Sequence, residues 1–177
     1  MKRRRFGLAL LAVATPVRAR GLPPEIAAEL PDARLQGRGL MRFMGLRVYE
    51  ARLWVAAPAL GAAWASVPLA LEIEYARRLG GTQIAERTLA EMGRQAEIDA
   101  ARREQWLANL KSLIPDVAEG DRITGVQRPG ESTRLFVNGR LQGELRDPAF
   151  TRLFFGIWLS KGSSEPTLRD ALLGGAR

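Results

Sequence analysis

The chain has 177 residues, 27 basic against 19 acidic side chains, a net charge of +8, and neither a histidine nor a cysteine. That double absence excludes Ser-His-Asp and Cys-His nucleophile systems, haem ligation by His or Cys, ordinary zinc, copper or iron sites, and disulfides. Chemistry is left to shape, apolar surface, carboxylates, guanidinium groups and two tyrosines, Tyr49 and Tyr75.

Lys2, Arg3, Arg4 and Arg5 form a charged start, Phe6 to Ala14 an apolar stretch too short to span a bilayer, and Val17-Arg18-Ala19 a small-x-small cleavage pattern. Residues 1–19 are therefore expected to be a removable export signal, which places the mature protein in the periplasm or outside the cell; a basic arm or a single anchor is the alternative. Arg3-Arg4-Arg5-Phe6-Gly7-Leu8 fits a twin-arginine pattern with Lys2 where Ser or Thr is usual, so that route and the general secretory one both stand open. Residues 1–19 hold five basic and no acidic side chains, so the remainder carries only +3. In it arginines alternate with carboxylates and show no basic stripe with interleaved aromatics, so no nucleic-acid partner is expected. Without disulfides the fold must stand on its core, which residues 20–177 are long enough to supply as a single domain. The expectation is a monomer with no stable membrane span once the signal is removed.

Leu22 to Pro31 is a lead-in with one helical turn over Glu25 to Leu30. From Arg34 to Val55 the pattern is strand-like, with Tyr49, Ala51, Leu53 and Val55 on an apolar face and Glu50 and Arg52 opposite. Gly37, Gly39 and Gly45 mark a turn, a bulge or a close backbone approach. After a connection around residues 56–68, Leu69, Leu71, Ile73 and Tyr75 alternate as a second strand; both strands are expected to have one wet side. Ile84, Thr88, Leu89, Met92 and Ala96 share a helical stripe, as do Trp106, Leu107, Leu110, Leu113 and Ile114 after the N-cap Asp99, before Pro115. Three strands follow, Arg122 to Gln127, Thr133 to Val137 and Arg140 to Leu145, joined by turns at Pro129-Gly130 and Asn138-Gly139. Asp147-Pro148 opens an amphipathic helix carrying Phe150, Leu153, Phe154, Ile157 and Trp158, and a last helix runs from Ser164-Glu165-Pro166 to Gly174.

Alternating strand patterns predict an α+β fold, an antiparallel sheet with a helix layer on one face, and an apolar cleft wherever the helices do not seal the sheet. Tyr49 and Tyr75 would sit on that side as structural hydroxyls bonded to backbone carbonyls. Arg47, Arg77 and Arg78 are read as surface groups able to hold a carboxylate, Trp106 and Trp158 as sheet packing, and Glu86 and Glu91 as helix-surface charges.

Gly37-x-Gly39, Phe43 to Tyr49, Gly81 to Arg87, Gly120-Asp121, Asn138-Gly139, Phe154 to Leu159 and Ser164-Glu165-Pro166-x-Leu168 together resemble the chalcone isomerase superfamily, and within it the bacterial exported chalcone isomerase-like branch. The match runs in order over roughly residues 30–174. It implies an open-faced β-sandwich, a sheet backed by helices. The true isomerases of the superfamily close a flavanone ring, a reaction that needs only orientation and donors for moving negative charge, but the resemblance does not carry that activity with it. In this chain the family's threonine position is Met44, its tyrosine Ile84 and its asparagine Glu91. Its arginine position falls on Met41 by the bacterial pattern, or on Asp32 by a gap-free match to the plant enzymes.

The threonine, tyrosine and asparagine roles are thus lost and neither alignment places an arginine, so no catalytic residue, cofactor or metal is expected. The expected partner is a small apolar molecule, such as a fatty acid, in a cleft lined by Met41, Met44, Arg47, Tyr49, Tyr75 and Ile84. Non-catalytic fatty-acid carriers are part of what the resemblance implies. The alternatives are an intramolecular lyase or isomerase rebuilt on Tyr49, Tyr75 and an arginine, and a cell-envelope interaction or scaffold protein whose cleft is filled by its own side chains.

Overall fold

The computed structural model describes residues 21–56 and 61–175, so the expected export signal at residues 1–19 lies outside the described residues. Six strands, β1 (Arg34–Phe43), β2 (Leu46–Val55), β3 (Leu69–Tyr75), β4 (Arg122–Arg128), β5 (Ser132–Val137) and β6 (Arg140–Leu145), each pair antiparallel with their sequence neighbour in one open sheet. The strand-like run from 34 to 55 is two strands, because Met44 and Gly45 both take positive φ (50° and 80°) and reverse the chain. A register shift opposite Met41 and Arg42 leaves Val48 unpaired, so the irregularity expected at Gly45 extends into β2.

Odd-numbered residues of β2 to β5 face one layer of four helices: α2 (Gly81–Gly93) and α3 (Ala100–Leu113), inserted between β3 and β4, and α4 (Pro148–Leu159) and α5 (Pro166–Leu172), which follow β6. Asp99 caps α3 through Arg102 N–H, and Asp147 caps α4 through the N–H groups of Ala149 and Phe150. Asp116, from the acidic turn before β4, accepts from the Gly81 N–H at the start of α2 at 2.8 Å. The main core joins Leu53, Leu71 and Leu135 of the sheet to Leu89, Met92, Leu110, Phe150, Phe155 and Leu159 of the helices. Close packing of α5 on β1 requires glycine: a Cβ at Gly37 would lie 2.2 Å from the Ala171 carbonyl oxygen.

The opposite face is not wet over its middle strands. The helix α1 (Pro24–Glu29) and the segment after it lay Ile26, Leu30 and Ala33 on Trp54, Ala70, Val126 and Phe136. Beside this second core Glu72 is wholly buried. It accepts from the Trp54 indole at 3.0 Å and from Arg122 at 3.1 Å, and Arg52 reaches it at 3.5 Å. The alternation in β3 that suggested solvent is instead a row of paired charges under a helix, the arrangement that makes a buried carboxylate tolerable.

Candidate functional site

Tyr49 and Tyr75 are register partners across β2 and β3, both pointing to the helix layer. Their rings meet edge to face, centroids 6.1 Å apart at 70°. From α4, Trp158 donates its indole N–H to the Tyr49 hydroxyl oxygen at 3.0 Å, so the partner of this tyrosine is a side chain rather than the expected backbone carbonyl. Tyr75 is only 5% exposed, and its hydroxyl makes no hydrogen bond to another described residue.

Burial pushes the Tyr49 phenol up to about 12, against the opposing hydrogen bond from Trp158, with Glu165 and Glu91 adding to the rise and Arg87 reducing it. Burial also pushes Tyr75 upward, with the neighbouring Tyr49 adding to it. Both groups are therefore neutral phenols at physiological pH, donors and not bases. The Tyr49 oxygen accepts the indole hydrogen bond while its own O–H remains able to donate, so both phenols can act as donors.

The remaining expected residues divide. Met41 is the strand partner of Tyr49 and is half-buried, and Ile84 on α2 is half-buried; both pack against the main core. Met44 stands apart at the β1–β2 turn, 86% exposed, and Arg47 is exposed beside it. Arg77 and Arg78 are also exposed. Glu86 is on the surface and pairs with Lys111, whereas Glu91, expected on the surface, is buried and pairs with Arg87 at 2.6 Å and Arg94 at 3.5 Å. Helical spacing put Glu91 one turn beyond the exposed Arg87, and an i,i+4 Arg–Glu pair was the available signal that its charge would be met.

Sequence reasoning read Trp158 as packing and missed that it is the residue tying α4 to Tyr49. Its seven-residue spacing from Thr151 and four-residue spacing from Phe154 put it on the buried stripe, but spacing says nothing about where an indole N–H finds its acceptor. Aromatic side chains crowd the adjoining layer: Phe154 contacts Phe150, Phe155 and Trp158 at centroid separations of 5.1–5.6 Å. Among the described residues, two of the clefts lie away from the tyrosines. One, of about 340 Å³, lies between α3 and β6 at Trp106, Leu113 and Asp147; the other, of about 280 Å³, lies on the α1 side at Leu30, Val126 and Arg128. Among the described residues no group of three or more carboxylates could hold a metal ion, and no helix is long and apolar enough to cross a membrane.

Residues 14–174 match the family model described as chalcone isomerase-like. Among solved structures the chain is similar to a fatty-acid binding protein from Arabidopsis thaliana, at 14% identity and a TM-score of 0.65 over 81% of this chain and 88% of that one. That likeness shows the shared fold, an α+β open sheet with a helix layer. No curated protein matches the sequence.

Proposed function

This chain belongs to the chalcone isomerase-like family, and from that premise we propose that it is a non-catalytic binder of a small apolar molecule held between sheet and helices at Tyr49 and Tyr75. The observation that carries the reading is the pair of neutral phenols facing the helix layer, of which Tyr75 makes no side-chain hydrogen bond to another described residue. A ligand carboxyl or carbonyl oxygen can accept from Tyr75 and Tyr49, and the apolar remainder of the ligand lies along Met41 and Ile84. A fatty acid has this chemistry, and the description of the structural neighbour as a fatty-acid binding protein supports it.

Absence of turnover is supported by the state of the polar groups. Raised phenols do not serve as bases, the nearby Arg87 is engaged by Glu91, and Arg47 is exposed beside the β1–β2 turn. Chalcone absorbance in the presence of excess protein is expected to decay at the buffer rate; a protein-dependent rate would restore the isomerase alternative.

The test of binding is to denature the purified protein, extract it and identify bound molecules by mass spectrometry, then titrate long-chain fatty acids into delipidated protein. Binding weakened about tenfold by Tyr75→Phe is expected, the equivalent of one buried hydrogen bond. Protein that is always empty and shows no thermal shift with such acids would end the reading. That result would favour a second one, an envelope interaction or scaffold protein, for which the aromatic filling of the layer is the specific support.

The address follows from residues 1–19: we place the mature protein in the periplasm or outside the cell. N-terminal sequencing of the protein recovered from the periplasmic fraction is expected to begin at Arg20, and protein retained in the cytoplasm with Lys2 intact would refute this.

A further inference from the structure

Six large apolar side chains are exposed among the described residues, and five of them, Leu35, Leu40, Phe43, Met44 and Leu46, belong to the β1–β2 hairpin. Three cluster at its tip, where Phe43 is 62%, Met44 86% and Leu46 57% exposed. Left in water, such a patch lowers solubility and gains nothing for the fold, which marks it as a contact surface.

Charge identifies what it contacts. Between Asp32 and Glu50 the sequence holds four arginines, Arg34, Arg38, Arg42 and Arg47, and no acid. Arg77 and Arg78 join them, because the Ala76 N–H bonds the Val48 carbonyl at 2.9 Å and carries the chain after β3 alongside the base of the tip. None of Arg42, Arg47, Arg77 and Arg78 pairs with a carboxylate of a described residue, although most other arginines of the fold do. A second copy of the chain would bring like charges together. An apolar tip collared by guanidinium groups that no carboxylate neutralises, Arg42 bonding only the Gly45 carbonyl at 3.4 Å, fits a surface that is greasy below and anionic above.

We propose that this hairpin tip docks the protein on an anionic lipid bilayer, seating Phe43, Met44 and Leu46 among the head groups with Arg42, Arg47, Arg77 and Arg78 on the lipid phosphates. The hairpin then fixes how the protein meets the membrane. Tyr49 lies on the same hairpin, three residues along from Leu46. The inference does not rest on ligand binding, since an empty protein would dock equally well.

The chain has no cysteine, so Met44→Cys in the full-length protein carries one environment-sensitive fluorophore at one place. With vesicles of phosphatidylcholine containing phosphatidylglycerol its emission should shift to the blue. The shift should be lost with pure phosphatidylcholine or in high salt, which screens the attraction. A label at Lys161→Cys, in the turn after α4, should not shift. Replacing Arg42, Arg47, Arg77 and Arg78 together by Gln should weaken vesicle binding about tenfold or more while leaving the melting temperature in place. The local label separates this docking from any attraction of residues 1–19 to the same vesicles. A label at position 44 that stays unshifted while the protein sediments with vesicles overturns the proposal. So does a shift that grows with protein concentration in the absence of lipid, which would reveal a second copy, or one indifferent to the four arginines.

Discussion

The indole N–H of Trp158 reaches from α4 to the hydroxyl oxygen of Tyr49 on β2 at 3.0 Å, a contact between residues 109 positions apart that pins the helix layer to the sheet. A half-buried neutral hydrogen bond of this kind contributes about 1 kcal/mol. Tyr49→Phe should therefore lower the melting temperature by about 2–4 °C for a domain of this size. Trp158→Phe should cost more, since it also removes ring volume against Phe154. The double variant should be less destabilised than the sum of the singles, and full additivity in thermal melts would show that the two side chains do not interact.

Alkaline pH should loosen the fold before it does anything else. An unfolded tyrosine loses its proton near pH 10, whereas burial holds Tyr49 up to about 12 and pushes Tyr75 upward as well. Above pH 10 the unfolded chain then binds fewer protons than the folded one, so the stability these phenols contribute is complete below pH 10 and is lost progressively as pH rises through 12. Ultraviolet titration should show both tyrosines ionising late in native protein and near pH 10 in denaturant. Equal titration in the two states would contradict the burial.

Asn138 and Gly139 turn β5 into β6 with φ of 49° and 82°, the paired left-handed geometry that a two-residue hairpin needs. Asn138 also accepts from the Arg122 N–H at 2.9 Å and donates to Asp121 at 3.0 Å, and the Ala118 N–H together with this amide holds the Asp121 carboxyl below its usual range. Asn138→Ala loses both bonds and puts at φ 49° a residue that tolerates the left-handed region less well than asparagine, so about 2 kcal/mol of destabilisation is expected in urea melts. Asn138→Gly should recover the backbone part only. A depressed Asp121 contributes stability that is present above the ordinary carboxylate range and disappears on acidification, so Asp121→Asn should flatten the acid limb of the stability profile.

Gly37→Ala puts a methyl group 2.2 Å from one carbonyl oxygen and 2.4 Å from the next on α5, both backbone atoms that no rotamer change can move. The helix must lift, and a loss of about 1–3 kcal/mol is expected from chemical denaturation. Gly45→Ala makes the comparison useful: nothing lies within 4 Å of its added methyl, and the cost there comes from a φ of +80° alone. If the two variants unfold at the same urea concentration with hydrogen exchange in α5 unchanged, the tight packing is not what holds Gly37.

The sequence made the strands legible because Tyr49, Ala51, Leu53 and Val55, or Leu69, Leu71 and Ile73, repeat with the period of a pleat, and it made α3 and α4 legible because Asp99 and Asp147 announce their starts. The motif residues that carry the family resemblance mostly serve the backbone: Gly37 admits α5, Gly81 lies against the Ile114 carbonyl, and Asn138-Gly139 makes a turn. For that reason they led to the fold and not to a site. Glu72 was read as wet because a polar residue on alternate positions gives no hint that α1, forty residues earlier, folds across it. Met44 and Arg47 lie in the stretch that carries the resemblance, yet Met44 sits in the turn itself and the register shift at Val48 separates Arg47 from Tyr49, and both side chains are exposed. Trp158 was visible as a buried ring, but the direction of its one polar atom depends on a strand more than a hundred residues away.

Every strand pairs with its neighbour in sequence, β3 and β4 across the inserted α2 and α3, whereas the helix layer closes at long range: α5 covers β1, and the Gln36 side chain bonds the Leu173 carbonyl across 137 positions. During synthesis the first hairpin emerges early while the segment that roofs it is still being made, so for most of translation its inner surface has no cover. Zippering of neighbouring strands is fast and local, whereas the last helix must complete a long loop before it docks. Of the described elements α5 is thus the last to be made, and a nascent chain stalled short of residue 166 is the species that a holding chaperone would have to shield.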